Sequence, residues 1–382
     1  MKANTPLIRI VKRTDHSKTK TYLMMALCFI IALLISTLFL YLVSGKNPFE
    51  AWLLIVEGTF GTNRRGEFNT IKFFQMFQEF IMLLAIALAL APSYKMRFWN
   101  IGAQGQILMA GLVTSAIMLY GRESIPSAGI VVLSILASII AGGIWGLIPA
   151  FFKAKYNTNE TLFTLMMNYI AVLIVTLVTN IWKGSNSQMP IINMSGHEGW
   201  LPEIMNESSI LPAILVAVLV FTTFAYFRYT KQGYEIKVVG QSVKTAEYIG
   251  INVKKVIMRT IFLSAAVSGL IGFFYVSNFD HMIMPTTSGN LGFTAIIVCW
   301  LANFNPFLMI PYAALVAFLN QGASNLANSA FDKNLNEYSS EFIIFVIILA
   351  ILIGKFFSEY RFAFRQNKDK LFNLLTKGLI ER

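Results

Sequence analysis

The chain has 382 residues, 56% hydrophobic and only 13% charged, with a mean hydropathy of +0.61. Soluble domains carry about 25% charged residues, so the composition excludes a soluble fold and predicts a polytopic membrane protein. The formal charge of +12 does not indicate nucleic acid, because the basic residues flank apolar runs and form no patch interleaved with aromatics. Cys28 and Cys299 lie inside apolar runs, with no disulfide framework and no metal-ligand spacing. Both read as core filler.

In chain order, residues 1–20 hold Lys2, Arg9, Lys12, Arg13, Lys18 and Lys20, and the apolar run Thr21–Val43 follows. That run matches the ~20 residues needed to span hydrocarbon and exceeds the ~7–15 apolar residues of a signal peptide. No small-residue cleavage site follows it, so a retained first helix with a cytoplasmic N-terminus is expected. Further spans are expected near 73–92, 100–120, 127–151, 161–182, 209–227, 260–277, 291–304, 307–327 and 341–357, of which 291–304 is shorter than a full crossing. The fold class is therefore all-α, with about ten transmembrane helices including one or two short or broken segments.

Ten crossings place both termini on one side, and the charges fit that frame. Of the 31 Lys and Arg, 24 fall in the predicted cytoplasmic segments 1–20, 95–97, 153–155, 228–259 and 355–382, against 7 on the other side. Such asymmetry follows the positive-inside rule. The organisation expected is a cytoplasmic tail (1–20), a transmembrane domain (21–357) with a cytoplasmic loop near 228–259, and a basic cytoplasmic tail (358–382).

Two outward connections are long, 44–72 and 183–208, and the first includes an amphipathic piece at Pro48–Trp52. In the longest inward loop, Gln241 or Ser242 suits the N-cap of a short helix from Val243 to Ile249, closed by Gly250 at C′. A short capped helix held between two spans suits a lever for a soluble partner.

The stretch Arg97-Phe98-Trp99-Asn100-Ile101-Gly102-Ala103-Gln104-Gly105-Gln106 stands out between strongly apolar segments. One Asn, two Gln and two Gly are costly near hydrocarbon, where polar groups line a pathway or pack inside a bundle, and glycines admit close backbone approach. Asn100-Ile101-Gly102 is echoed by Asn290-Leu291-Gly292 at the start of the eighth span. Polar breaks in two halves of opposite orientation are the mark an inverted 5+5 repeat leaves.

No catalytic constellation, metal site or cofactor motif emerges. His16, His197 and His281 are scattered, with no H-E-x-x-H, and no G-x-x-x-x-G-K-[ST] loop occurs. The chain itself is thus not expected to be an enzyme. Glu79 and Glu160 fall near span ends, where they can snorkel, and no buried acidic relay suggests a proton pump.

Trp99 through Gln106 resembles the F/W-N-I-G-A-E-G-Q signature of permease subunits of bacterial ABC importers, in the simple-sugar and nucleoside branch (ribose-permease-like, branched-chain-type). Asn159-Glu160, followed by Thr164-Leu165-Met166-Met167-Asn168-Tyr169-Ile170-Ala171, is similar to its second signature. Val239-Gly240-Gln241-Ser242 through Ala246, Tyr248, Ile249, Gly250 and Ile251 resembles its cytoplasmic coupling segment. Gly289 through Ile296, ending at Asn305-Pro306, resembles its late G-x-G-F-x-A-I stretch. The four run in family order. Gln104 departs from the family's Glu, Ser242 stands where Asn is typical, and Ala302-Asn303 replaces Gly-Arg, so any ion pair at position 104 is in doubt.

The resemblance implies a permease in the bacterial cytoplasmic (inner) membrane that pairs with itself or a second permease. A cytoplasmic ATP-binding subunit with two ATPase modules would drive it, and an extracytoplasmic solute-binding lipoprotein would deliver solute. The coupling contact would fall on Gly240, Gln241, Ala246, Tyr248, Ile249, Gly250 and Ile251. The pathway would use Trp99, Asn100, Gln104, Gln106, Asn168 and Phe293, polar and aromatic groups suited to a small neutral solute that hydrogen-bonds. Tyr169 is a further aromatic able to stack on a base. Nucleosides lead as the solute, with riboflavin and simple sugars as alternatives. A secondary transporter without an ATPase is the reading from a different class.

Overall fold

The structure, a computed structural model, describes residues 8–12, 18–61, 67–183, 192–193, 197–204, 207–289, 291–328 and 337–364. The elements are β1 (Ile8–Lys12), α1 (Lys18–Ser44), α2 (Pro48–Phe60), α3 (Thr70–Lys95), α4 (Ala103–Gly121), α5 (Ser127–Tyr156), α6 (Glu160–Trp182), β2 (Ile192–Asn193), α7 (Ile210–Tyr229), α8 (Lys231–Gln241), α9 (Val243–Tyr248), α10 (Val253–Phe274), β3 (Met282–Ile283), α11 (Leu291–Leu301), α12 (Pro306–Ala327), α13 (Glu337–Glu359) and β4 (Tyr360–Phe364). Among the described residues, eight helices are long and apolar enough to cross a membrane, and Leu291–Leu301 and Phe342–Phe357 form shorter apolar helices. These coincide with the ten spans expected from hydropathy. The protein is an all-α, multi-pass membrane protein.

The chain divides into two compact units, residues 1–54 with 326–382, and residues 55–325. In the first unit α1 runs beside α13, with the Phe39 and Phe342 rings 4.4 Å apart. β1 pairs antiparallel with β4, Ile8 opposite Phe364 and Lys12 opposite Tyr360. This ribbon brings the start of α1 next to the end of α13. The rest of both tails (1–7, 13–17 and 365–382) lies outside the described residues. Within the expected loop 44–72 the chain forms the 13-residue helix α2, whose Trp52 Nε1 donates to Thr37 Oγ1 at 2.9 Å.

In the second unit α10 is the central helix, packed on α3, α4 and α5. Small residues set its distance from α5. A Cβ on Gly269 would fall 2.2 Å from the Ser138 carbonyl oxygen, and one on Gly142 would fall 2.6 Å from that of Ala265. Helices in lipid gain little from apolar burial alone and associate through such close approach. α3 is buried continuously from Ile81 to Tyr94, whereas α6 and α7 turn Leu173, Leu177, Ile181, Val218 and Phe221 outward, as lipid-facing helices do.

The structure explains why the eighth span reads short. α10 continues into a five-residue π-helical turn, Tyr275–Phe279, and β3 then pairs antiparallel with β2. The Ile283 Cδ1 atom lies 3.2 Å from where a Cβ on Gly111 would sit, while Gly292 meets the backbone of Gln104, two turns earlier on α4. The segment Asp280–Gly289 therefore covers as irregular chain about 10 Å that helix would otherwise cover. Turn bonds from Thr287 to Met284 (3.1 Å), Gly289 to Thr286 (2.8 Å) and Leu291 to Ser288 (3.3 Å) occupy its amides. Asn290, half of the sequence echo, lies outside the described residues.

Candidate functional site

The polar stretch is the break between α3 and α4. Pro92 sits in the last turn of α3, and Arg97 takes a left-handed φ of 62°, which turns the chain back toward the bundle. The amides and carbonyls freed at the two helix ends need partners, and an unsatisfied one buried costs about 1–3 kcal/mol. Each polar residue nearby meets that need. Ile101 N–H donates to Thr164 Oγ1 (3.1 Å), the Asn168 amide donates to the Ile101 carbonyl (2.9 Å), and Gly105 N–H donates to Asn168 Oδ1 (2.8 Å). The Tyr94 hydroxyl donates to the Asn100 carbonyl at 3.0 Å, and Gly102 N–H donates to Asn100 Oδ1 at 2.9 Å.

This sorts the residues expected in the pathway. Asn100, Gln106 and Asn168 are 0%, 1% and 4% exposed, and Asn100 and Asn168 act as fasteners of the break. Gln106 Nε2 reaches Asn100 Oδ1 at 3.5 Å. Trp99 and Phe293 are exposed and Gln104 is half-buried. Gly292, next to Phe293 in the chain, lies against Gln104, where its Cβ would fall 3.4 Å from Gln104 N, so the first and fourth motifs meet. Trp99 packs on Tyr94 (5.6 Å) and Trp300 (5.2 Å). Tyr169 is exposed on α6.

The third motif rests directly against the same break. Thr230 caps α8 by accepting from Gly233 N–H, and Ser242 caps α9 by accepting from Thr245 N–H at 3.2 Å. Gly250 has φ +83°, with Gly250 N–H on the Glu247 carbonyl (3.0 Å) and Ile251 N–H on that of Ala246 (2.9 Å). That bond pair is the Schellman closure expected of a C′ glycine. Gly240 lies against the end of α3, where a Cβ would fall 2.2 Å from the Lys95 carbonyl oxygen. Ala246 is buried in a core shared with Met96, Phe98, Ile236 and Val256, with Ile251 packed on it. Gln241, Tyr248, Ile249 and Gly250 are exposed, Tyr248 at 90%. A cleft of about 470 Å³ separates this module from the α5–α6 turn, lined by Arg97, Lys153, Glu160, Gln241 and Glu247.

All four motifs thus share one neighbourhood, and comparison with known proteins agrees. Residues 73–352 match the family described as branched-chain amino acid transport system, permease component. The chain belongs to that family. The nucleoside ABC transporter permease protein NupB of Lactococcus lactis subsp. cremoris is 25% identical over 352 residues, covering 88% of this chain and 93% of NupB. The guanosine ABC transporter permease protein NupP of Bacillus subtilis is 26% identical over 367 residues, covering 94% and 99%. The probable riboflavin import permease protein RfuC of Treponema pallidum is 22% identical over 249 residues, covering 64% and 65%. The chain is an ABC transporter permease, and such a subunit works with an ATP-binding subunit.

Two acidic residues of the permease differ from the snorkelling role expected of them. Glu160 forms an ion pair with Lys153 at 2.9 Å. Glu79 accepts from Asn320 Nδ2 at 2.5 Å across to α12. Sequence reasoning missed Asn320, Gln321 and Asn325. Their spacing of one and four residues on an otherwise apolar helix was the available signal.

Proposed function

We propose that this permease imports nucleosides through the cytoplasmic membrane, with N- and C-termini cytoplasmic. In this reading a cytoplasmic subunit with two ATPase modules docks on the exposed face of α9. A second permease completes the pathway, an extracytoplasmic lipoprotein delivers solute, and ATP is hydrolysed on the separate subunit. The observation that carries the reading is the seating of Gly240 on the Lys95 carbonyl, with Ala246 in the core of Met96 and Phe98. A force on α9 passes through that contact to the α3–α4 break, and so to Trp99, Gln104 and Phe293. The similarity to NupB and NupP supports nucleosides as the solute class.

Gly250→Pro tests it. Proline fixes φ near about −65° and has no N–H, so it can neither hold +83° nor donate to Glu247. ATP-driven uptake of radiolabelled guanosine is expected to be lost while the variant still accumulates folded in the membrane. Uptake at the wild-type rate in that variant would contradict the coupling role.

A further inference from the structure

A second polar array lies at the other end of α3. Lys72 Nζ donates to Asn325 Oδ1 at 2.6 Å, Gln321 Nε2 donates to Gln75 Oε1 at 3.3 Å, and Asn320 Nδ2 donates to Glu79 Oε1. Positions 72, 75 and 79 are three and four residues apart and share one helix face, and they meet 325, 321 and 320 on α12. The array runs about 10 Å along α3, and Glu79 is about 24 Å from Lys95 where the coupling module sits. Thus the two ends of α3 fall at opposite ends of the unit.

A carboxylate here is more than helix glue requires. An amide pair would hold two membrane helices together, and an ionisable residue within a span is a functional-site hypothesis by default. Glu79 meets one neutral amide, although an ionised carboxylate can accept at about four lone-pair positions. Tyr275, on the π-turn, carries a buried hydroxyl with no hydrogen-bond partner among the described residues and lies within electrostatic reach of Glu79 and Asp280. Glu79, Asn320 and Gln321 are half-buried and Gln75 is exposed, so the array is open to a visitor. Aromatic rings border it. Phe73 and Phe77 on α3 are stacked at 6.2 Å with planes 6° apart, and Phe60 stacks on Phe318 at 5.9 Å.

We infer that this seam is a recognition seat for the solute, with the Glu79 carboxylate accepting a pair of adjacent donors and the Gln75 and Gln321 amides completing the contact. Guanosine supplies that chemistry twice over: the vicinal hydroxyls of ribose and the adjacent N1–H and N2–H groups of guanine. Its flat ring suits the phenyl border. The inference deepens the nucleoside-import reading and rests on it, because that reading puts the seam on the side where solute arrives.

The experiment uses the complete transporter in membrane vesicles, with tritiated guanosine as probe and 2′-deoxyguanosine and guanine as competitors. Glu79→Gln keeps the shape and the Asn320 contact but removes the charge, and Gln75→Leu and Gln321→Leu remove the amides. Each is expected to raise KM about tenfold or more, the effect of losing a hydrogen bond to a charged or buried partner. Maximal rate and basal ATP hydrolysis should stay near wild type, a split that a purely structural role would not give. If Glu79→Gln narrows the gap between guanosine and its 2′-deoxy analogue, the hydroxyl pair is the contact. If guanine loses potency in parallel instead, the base edge is. Either result supports the seat.

Unchanged KM and competitor order in all three variants, at matched abundance, would overturn it. Should Glu79→Gln fail to accumulate, the two leucine variants decide the matter, since their amides bridge a half-open rim. Wild-type vesicles that take up no guanosine despite ATP hydrolysis would overturn the nucleoside reading itself, a distinguishable failure.

Discussion

The two ends of α3 use polar side chains in opposite ways. At the Lys95 end, Asn100 and Asn168 are fully enclosed, and their hydrogen bonds go mainly to backbone groups freed by a broken helix. At the Thr70 end, Lys72, Gln75 and Glu79 meet side chains of α12 and stay partly accessible. The first arrangement fixes a shape. The second leaves a carboxylate and amides with bonding capacity to spare. Polarity within a membrane span is therefore no guide to function until the partner of each group is known.

The largest difference should appear when an equivalent Asn is removed from each end. Asn168→Leu strands the Ile101 carbonyl and the Gly105 amide in a buried place. At about 1–3 kcal/mol for each group, the loss is roughly 2–6 kcal/mol, enough to deplete folded protein. Asn320→Leu breaks a side-chain pair at a half-buried position and strands no backbone group, so its variant should remain folded. Thermal unfolding of the two solubilised variants checks this, and equal losses would erase the distinction between fastener and seat.

That distinction marks where the sequence stops being informative. Hydropathy located the ten apolar helices because burial of about twenty apolar residues is a local property. Ser242 and Gly250 were equally legible, since capping depends on residues three or four apart. The partners of Asn168 and Glu79 were not. Asn168 bonds 63 and 67 residues away, and Glu79 bonds 241 residues away, and no periodicity encodes such a pairing. The irregular descent from Asp280 to Gly289 was hidden for the same reason, though the shortness of 291–304 was its visible trace. Cys299 did prove buried, as expected, with its thiol donating to the Ala87 carbonyl at 2.8 Å.

A smaller effect is expected in pH dependence near the seam. Burial raises the Asp280 carboxyl to about 6, so the folded state holds its proton more tightly than the unfolded chain does. That contribution is fully present below about pH 4 and is lost as pH rises through about 6. Next to it, His281 stacks on Trp200 at 3.5 Å, with His197 at 4.1 Å from the same indole. Burial lowers the His281 pKa, opposed by Glu203 and reinforced by His197, so its contribution is present above 6.5 and is lost as pH falls. Asp280→Asn should reduce the decline in stability between about pH 4 and 6 and leave the histidine effect intact. Unfolding temperatures across that range check it, and an identical decline in the variant would remove Asp280 from the account.

The smallest effect on stability concerns the Arg259–Glu235 pair, 2.9 Å long and joining α10 to α8, with side chains 25% and 15% exposed. Partly exposed pairs contribute about 0–1 kcal/mol, so Glu235→Gln should barely change unfolding. Its consequence for transport should be larger, because α8 carries Gly240 against Lys95 and an α8 loosened from α10 transmits less motion to the break. Uptake is therefore expected to fall by more than the stability change explains, while KM, set at the far end of α3, stays constant. Raising the salt concentration should weaken the wild-type pair by screening and bring its uptake toward that of the variant. A rise in KM with maximal rate preserved would mean that the two ends of α3 do not divide the work between coupling and recognition.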